Sequence, residues 1–304
     1  MPDFIDLTRF PSAPSAPWAL RRKEVLLASP RRVWQALVDP RELVEWWCDR
    51  ANVEARVGGC YEFHGPHVYG DRDPQKGEGR NFEILDLVPE SRLEYRWHLE
   101  GVETRVSYEI SNVLEVTELV VVQTADRAPR WDPGPDGPNW WWVALPALRS
   151  YVENGHPDLR LDYGELANSL PILLQVGITT FPWIVWDKLT SPPELERWWA
   201  RRAEVDLRPG GPFRLGLDGW GPSAVLELDQ GRRLAHDWKW PDGTCGRVEW
   251  NVEETEEDTR VSVCDAGPWD SGLPREFYLT HWASTLLGLK QMSERGITPR
   301  EYQH

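Results

Sequence analysis

Three histidines stand where a proton could be moved. His64 and His67 fall with Tyr69, Asp71 and Asp73 in the Gly- and charge-rich stretch "HGPHVYGDRDPQKGEGR", and His236 falls in "RLAHDW". Imidazole is the side chain whose ordinary titration lies near physiological pH, so each is a candidate acid/base group. The first stretch reads either as a lid carrying acid/base groups over a pocket mouth or as a solvated hairpin tip. His236 reads either as a proton shuttle or as a hydrogen-bonded member of a core, a role its counterpart Tyr95 could share. No metal or cofactor is expected. H-x-x-H lacks the partner spacing of a zinc site, and the glycine in D-x-D-x-Q-K-G comes too late for a calcium loop. The G-E-G at 77–79 is followed by a strand pattern rather than the helix a phosphate cradle needs. The serines lie outside G-x-S-x-G and no cysteine has an evident partner histidine, so no nucleophile with its base is assembled. These patterns lean away from an enzyme without deciding the matter.

A stronger signal is aromatic. The chain has 19 tryptophans in 304 residues. Strand residues alternate between faces, which puts Leu93, Tyr95, Trp97 and Leu99 on one side, and likewise Leu234, His236, Trp238 and Trp240. With Tyr61, Phe63, Tyr108 and Trp141 or Trp142 in the first half, and Phe213, Trp250 and Trp282 in the second, they form candidate ligand walls. Apolar rings supply affinity for a flat or lipid-like molecule and a few polar tips orient it. The plainer alternative is that the rings fill a core.

The elements that would position these residues are written twice. "VWQALVDPRELVEWW" at 33–47 returns as "VWDKLTSPPELERWW" at 185–199, and "ILDLVPESRLEYRW" at 84–97 returns as "VLELDQGRRLAHDW" at 225–238. Ser29-Pro30 suits the start of a short helix; Asp39-Pro40 with Glu42 and Ser191-Pro192 with Glu194 read as capping boxes opening a second one. Gly58-Gly59 and Gly210-Gly211 mark reversals between strands. Trp141, Leu145, Leu148 and Val152, and Trp282, Leu286, Leu289 and Met292, share one face of a late helix. Pro146 predicts a kink in the first of these only. Adjacent residues of a helix cannot both face one core, so one tryptophan of each pair, 46/47 and 198/199, is expected at a rim, an interdomain contact or a pocket entrance.

The order is strand, two short helices, antiparallel meander and long helix, given twice. Together with V-W-x-x-L-x-x-P-x-x-L-x-x-W-W, the following G-G-x-[YF] and "RLEYRW"/"RLAHDW", it resembles the SRPBCC or START-like superfamily. Within that superfamily it is similar to the family related to the C-terminal domain of the heat-shock chaperone ATPase activator. The resemblance spans about residues 18–155 and 170–296. It implies an α+β fold of two tandem helix-grip domains, each a curved antiparallel sheet around a long C-terminal helix with a cavity between them. Known relatives include lipid carriers, hormone receptors, cyclases and chaperone partners, so the fold alone does not choose a function. The expected organisation is a flexible leader at 1–17, domains at 18–157 and 170–304, and a linker at 158–169.

A net charge of −15 argues against a nucleic-acid partner and against an acidic membrane surface. The uncharged run "LPILLQVGITTFPWIVW" at 170–186 contains Pro171, Gln175, Gly177 and Pro182; it reads as a buried strand entering a helix rather than a membrane span. Cys48, Cys60, Cys245 and Cys264 show no C-x-x-C spacing or shared framework, and the N-terminus has no apolar signal-peptide core, so a reduced, cytoplasmic setting is expected. The functional expectation is binding of a small hydrophobic molecule, with a cyclase- or hydratase-type enzyme using His64, His67 or His236, and a chaperone-associated regulator, as alternatives.

Overall fold

The computed structural model describes residues 18–69, 82–99, 102–128, 140–164, 171–217, 219–241, 243–267 and 275–296. The leader, Asp71, Asp73, the G-E-G and residues 165–169 of the expected linker lie outside the described residues. The chain falls into two compact units that divide between Gly164 and Glu165.

In the first unit β1 (Trp18–Leu26) leads into α1 (Pro30–Val38) and α2 (Pro40–Trp46). A small hairpin follows, β2 (Arg50–Val53) with β3 (Tyr61–His64), then β4 (Ile84–Val88), β5 (Arg92–Leu99), β6 (Val102–Val113), β7 (Val116–Ala125) and α3 (Trp141–Asn154). The main sheet is antiparallel in the order β1-β7-β6-β5-β4. The second unit repeats this with β8 (Ile172–Ile178), α4 (Pro182–Thr190), α5 (Pro192–Trp198), β9 (Glu204–Val205), β10 (Phe213–Arg214), β11 (Val225–Asp229), β12 (Arg233–Lys239), β13 (Cys245–Glu254), β14 (Thr259–Asp265) and α6 (Arg275–Arg295). Its sheet order, β11-β12-β13-β14-β8, is the same arrangement. Two five-stranded antiparallel sheets, each with its own helices, make this an α+β protein of two tandem helix-grip domains.

The local reasons are physical. Strand β5 buries alternate residues, and Leu93, Tyr95, Trp97 and Leu99 are the buried set, because one face meets the core and the other water. Ser29 caps α1 by accepting from the Arg32 amide at 3.2 Å, and Asp39 caps α2 through the Arg41 amide at 2.9 Å. The capping boxes are not completed. Glu42 turns to Arg32 and Glu194 to Lys188, so in both units the third-position glutamate ties the second short helix to the first. Helix α3 stays helical through Pro146. Within the run expected to be a buried strand, β8 is instead an edge strand whose alternate residues are less buried, with Leu173 outward, and the helix that follows leaves Trp183 69% exposed. Among the described residues no helix is long and apolar enough to cross a membrane.

The Gly58-Gly59 reversal divides its labour. Gly58 has φ +75° with open space around a Cβ, whereas a Cβ on Gly59 would lie 2.1 Å from the Glu54 carbonyl oxygen. Gly58→Ala is therefore expected to cost about 1 kcal/mol, the ordinary price of left-handed backbone. Gly59→Ala collides with main chain that cannot yield, and should cost roughly 3 kcal/mol or more. Urea unfolding of the two variants checks the order.

Candidate functional site

Between sheet and helix the first domain holds a ladder of rings. Trp47 stacks on Phe63 at 4.2 Å, Phe63 meets Trp97 at 5.4 Å, Tyr61 meets Tyr95 at 4.5 Å, and Trp141 reaches Tyr108 at 5.9 Å and Trp97 at 6.2 Å. The polar atoms in this ladder are paired. The Tyr61 hydroxyl donates to the Leu37 carbonyl at 2.6 Å, the Tyr95 and Tyr108 hydroxyls share a hydrogen bond of 3.1 Å, and the Trp141 indole donates to Gln123 Oε1 at 2.9 Å. Gln123 in turn donates to Thr104. Burial raises all three phenols well above their usual range, so they stay neutral and act as hydrogen-bonding tips on an apolar wall. Six of the expected wall residues, Tyr61, Phe63, Tyr95, Trp97, Tyr108 and Trp141, thus come together. Trp142 turns instead toward β1, where the Arg22 guanidinium lies 4.6 Å over its ring.

The ladder ends at a mouth. A cleft of about 30 Å³ there is lined by Trp46, Trp47, Tyr69, Trp140 and the segment 159–163, room for one or two waters and no more. Tyr69 stacks on Trp140 at 5.2 Å and meets Tyr163 edge-on at 5.4 Å. Residues 159–163, within the expected linker, lie across this mouth as a strap. The Tyr163 amide donates to the Pro66 carbonyl at 2.8 Å, His67 Nδ1 bonds the Leu161 carbonyl at 2.7 Å, and Arg160 pairs with Asp49 at 3.2 Å. The strap's own Leu161 and Tyr163 are buried and line the cleft. His67 also sits 3.3 Å from Asp49 through Nε2. His64 lies half-buried with its ring edge-on to Phe82 at 5.8 Å. His67 and Tyr69 therefore belong to the mouth, and His64 to the hairpin beside it.

Both tryptophans of the first pair are buried, and both line the cleft at the mouth. The reason is that α2 ends at Trp46. Trp47 is the C-cap residue with φ −119° and ψ −52°, which frees it from helical spacing and lets it turn inward beside its neighbour. Trp199 ends α5 with nearly the same backbone, φ −122° and ψ −47°, and is only half-buried, so these angles permit the inward turn without fixing its depth.

The second domain assembles the corresponding set around more indoles. Phe213 stacks on His236 at 5.0 Å, Trp238 packs on Trp282 at 4.8 Å, and Trp250 meets Trp282 at 6.0 Å. Both nitrogens of His236 are engaged. Nδ1 donates to the Asp237 carbonyl at 2.7 Å, and Nε2 accepts from the Trp250 indole at 3.2 Å, which fixes the tautomer. Burial holds its pKa down at about 4. His236 is thus a neutral hydrogen-bonded member of the wall. Where the first domain has Gln123, the second has Asp265, which accepts from the Trp282 indole at 2.7 Å and from the Gly267 amide at 3.1 Å. Burial raises this carboxyl to about 6 against those bonds.

Several buried polar residues went unforeseen. His281 on α6 lies among Trp220, Trp238, Trp240 and Trp282. Arg149 on α3 pairs with Glu24 on β1 at 2.6 Å, both almost fully buried. Cys48 is buried with its thiol pushed up to about 12, chiefly by that burial, so it is inert while Cys245 is exposed. Among the described residues no three His, Cys, Asp or Glu side chains are grouped to hold a metal.

A family profile described as activator of Hsp90 ATPase homolog 1-like protein matches residues 27–136 and 180–294, once in each unit. The chain belongs to this family. Among solved structures, this Hsp90-activator-like chain is similar to DynU16, a protein of the dynemicin biosynthetic locus, at 20% identity over 91% of this chain and 99% of that one, TM-score 0.37. It is also similar to the Aha1 dimer of Colwellia psychrerythraea, at 20% identity over 45% of this chain and 98% of that one, TM-score 0.34. The protein CV1439 of Chromobacterium violaceum shares 27% identity over 44% of this chain and 96% of that one, TM-score 0.33. No curated protein matches the chain.

Proposed function

We propose that this Hsp90-activator-like chain is a cytoplasmic binding protein for a small hydrophobic or aromatic molecule, held between sheet and helix and admitted to the first domain through its strapped mouth. The observation that carries this reading is the continuity of the mouth with the ring ladder. Trp47 and Trp140 line the cleft and also contact Trp97 and Trp141 behind it. Indole and phenol rings around a cleft suit a flat apolar guest, and Arg160 and His67 at the rim supply orienting polar groups. The four unpaired cysteines support a reducing compartment.

At 30 Å³ the closed cleft admits no such guest, so the strap has to move. Leu161→Ala/Tyr163→Ala in the full chain should speed the binding of anilinonaphthalene sulfonate about tenfold and raise exchange of the residue 163 amide, leaving exchange in β6 and β7 unchanged. Native mass spectrometry of the purified protein, followed by tryptophan quenching against a panel of apolar molecules, tests the reading itself. A retained or saturable ligand of small mass supports it; a clean apoprotein that no apolar molecule quenches overturns it. Chaperone regulation, which the family's description suggests, is the competing reading. A nucleotide-dependent pull-down of this chain with Hsp90 would favour it.

A further inference from the structure

The second domain carries polar atoms that its own fold does not use. The indole nitrogens of Trp238 and Trp240 and both ring nitrogens of His281 are buried with no hydrogen-bond partner. The three rings are mutual neighbours, with centroids 5.7 Å apart for Trp238 and Trp240, 5.2 Å for Trp238 and His281, and 5.1 Å for Trp240 and His281. Trp220, half-buried, closes the outer side edge-on to Trp238 and His281. Native interiors rarely leave such donors unpaired, because burying a polar group without a partner costs free energy. In the first domain the positions corresponding to Trp240 and His281 hold Leu99 and Trp140. Of these two only the Trp140 indole nitrogen is buried without a partner, against the four such nitrogens gathered in the second domain.

We propose that the Trp238, Trp240 and His281 cluster is a binding site for a neutral, planar molecule bearing a carbonyl-type oxygen. The inference rests on the reading that a grip interior takes a small ligand, and it assigns that ligand's chemistry. Two indole N–H groups can only donate, and a neutral imidazole adds one donor and one acceptor, so the complementary group is an acceptor oxygen. The walls are ring faces and edges, which select a flat body. An anion is disfavoured because the Asp265 carboxylate already takes the Trp282 indole beside this cluster, and the Trp240 indole also favours that carboxylate's charged form without making a well-formed hydrogen bond to it. Burial alone keeps His281 neutral, so the cluster offers no counter-charge of its own.

The test uses the full chain, with coumarin, whose lactone carbonyl accepts hydrogen bonds, against naphthalene, which has a similar shape and no acceptor. Coumarin is expected to bind at least tenfold more tightly than naphthalene. Trp240→Phe keeps the ring packing and deletes the donor; it should weaken coumarin about tenfold, the factor for one buried hydrogen bond, and leave naphthalene within about twofold. Trp240→Leu, which installs the first domain's residue, should do the same if Trp240→Phe fails to fold. Equal affinity for the two probes overturns this inference while leaving the ligand-binding reading intact. So does a crystal structure grown with coumarin in which ordered water alone bridges the three rings. Failure of both probes to bind anywhere on the chain overturns both.

Discussion

On acidification from pH 7 to about pH 4.5 the second domain loses its thermal transition first, while the first domain's transition holds. Burial depresses His236 to about 4 and His281 to about 3, from an ordinary 6.5. A histidine kept neutral in the fold is protonated more readily in the unfolded chain, so the unfolded state binds more protons at all pH values between the two pKa values. Stability is then fully present above about pH 6.5 and is lost as pH falls toward 4. Asp265 acts in the opposite sense. Its folded pKa of about 6 lies above the ordinary 3.8, so protonating it on the way down relieves a buried charge. At about 1.4 kcal/mol per unit, the two histidines together cost roughly 6 kcal/mol by pH 4 and Asp265 returns roughly 2. A net loss of about 4 kcal/mol is a large part of a domain's 5–15 kcal/mol. Among the described residues the first domain holds no buried histidine. Differential scanning calorimetry at stepped pH should show two transitions diverging below pH 6.5. His281→Leu should cut the net acid loss of the lower one to roughly a quarter, about 1 kcal/mol, and transitions that stay parallel down to pH 4.5 would refute the assignment.

The elements of this fold were readable because the chain repeats itself. Where "RLEYRW" and "RLAHDW" keep the same alternation through different residues, only the side each residue faces is common to both, and that side is the core. The ring walls followed from this alternation at Tyr95, Trp97, His236 and Trp238. The polar seams did not follow, for an identifiable reason. In "WALRRKEVL" the inward positions Arg22 and Glu24 are charged, so the strand shows no apolar face for alternation to detect. Helix α6 is buried nearly all round from Tyr278 to Met292, so a stripe of Trp282, Leu286, Leu289 and Met292 describes one side and hides His281, Lys290 and Gln291 on the others. One signal was available. Arg149 and Lys290 occupy corresponding places on the two gripped helices, and a basic residue retained within a helix meant to be enclosed implies a partner inside. The partners differ: Glu24 for Arg149, and the Gly177 carbonyl with Glu294 for Lys290. The same divergence separates Gln123 from Asp265. Duplication preserved the scaffold and the helix tryptophan's acceptor, while the groups around that acceptor changed.

Arg149→Met in the first domain should be the most damaging single substitution outside the ring ladder. The Arg149 guanidinium and Glu24 carboxylate are 3% and 4% exposed and 2.6 Å apart. Removing one partner strands the other charge in a low-dielectric interior, and such losses run to roughly 3–5 kcal/mol. Neutralising both is a different case. Glu24→Leu/Arg149→Met deletes two desolvation costs together with the attraction between them, and well-packed apolar replacements of buried pairs are often neutral. The double variant is therefore expected to unfold within about 1 kcal/mol of the natural protein, with each single variant far below it, when the first domain's transition is followed in urea. This double-mutant cycle separates a pair that holds β1 to α3 from one that only tolerates being there. If the double variant is as unstable as Arg149→Met, the pair supplies more than its own mutual satisfaction, and edge strand β1 depends on it for attachment to the gripped helix.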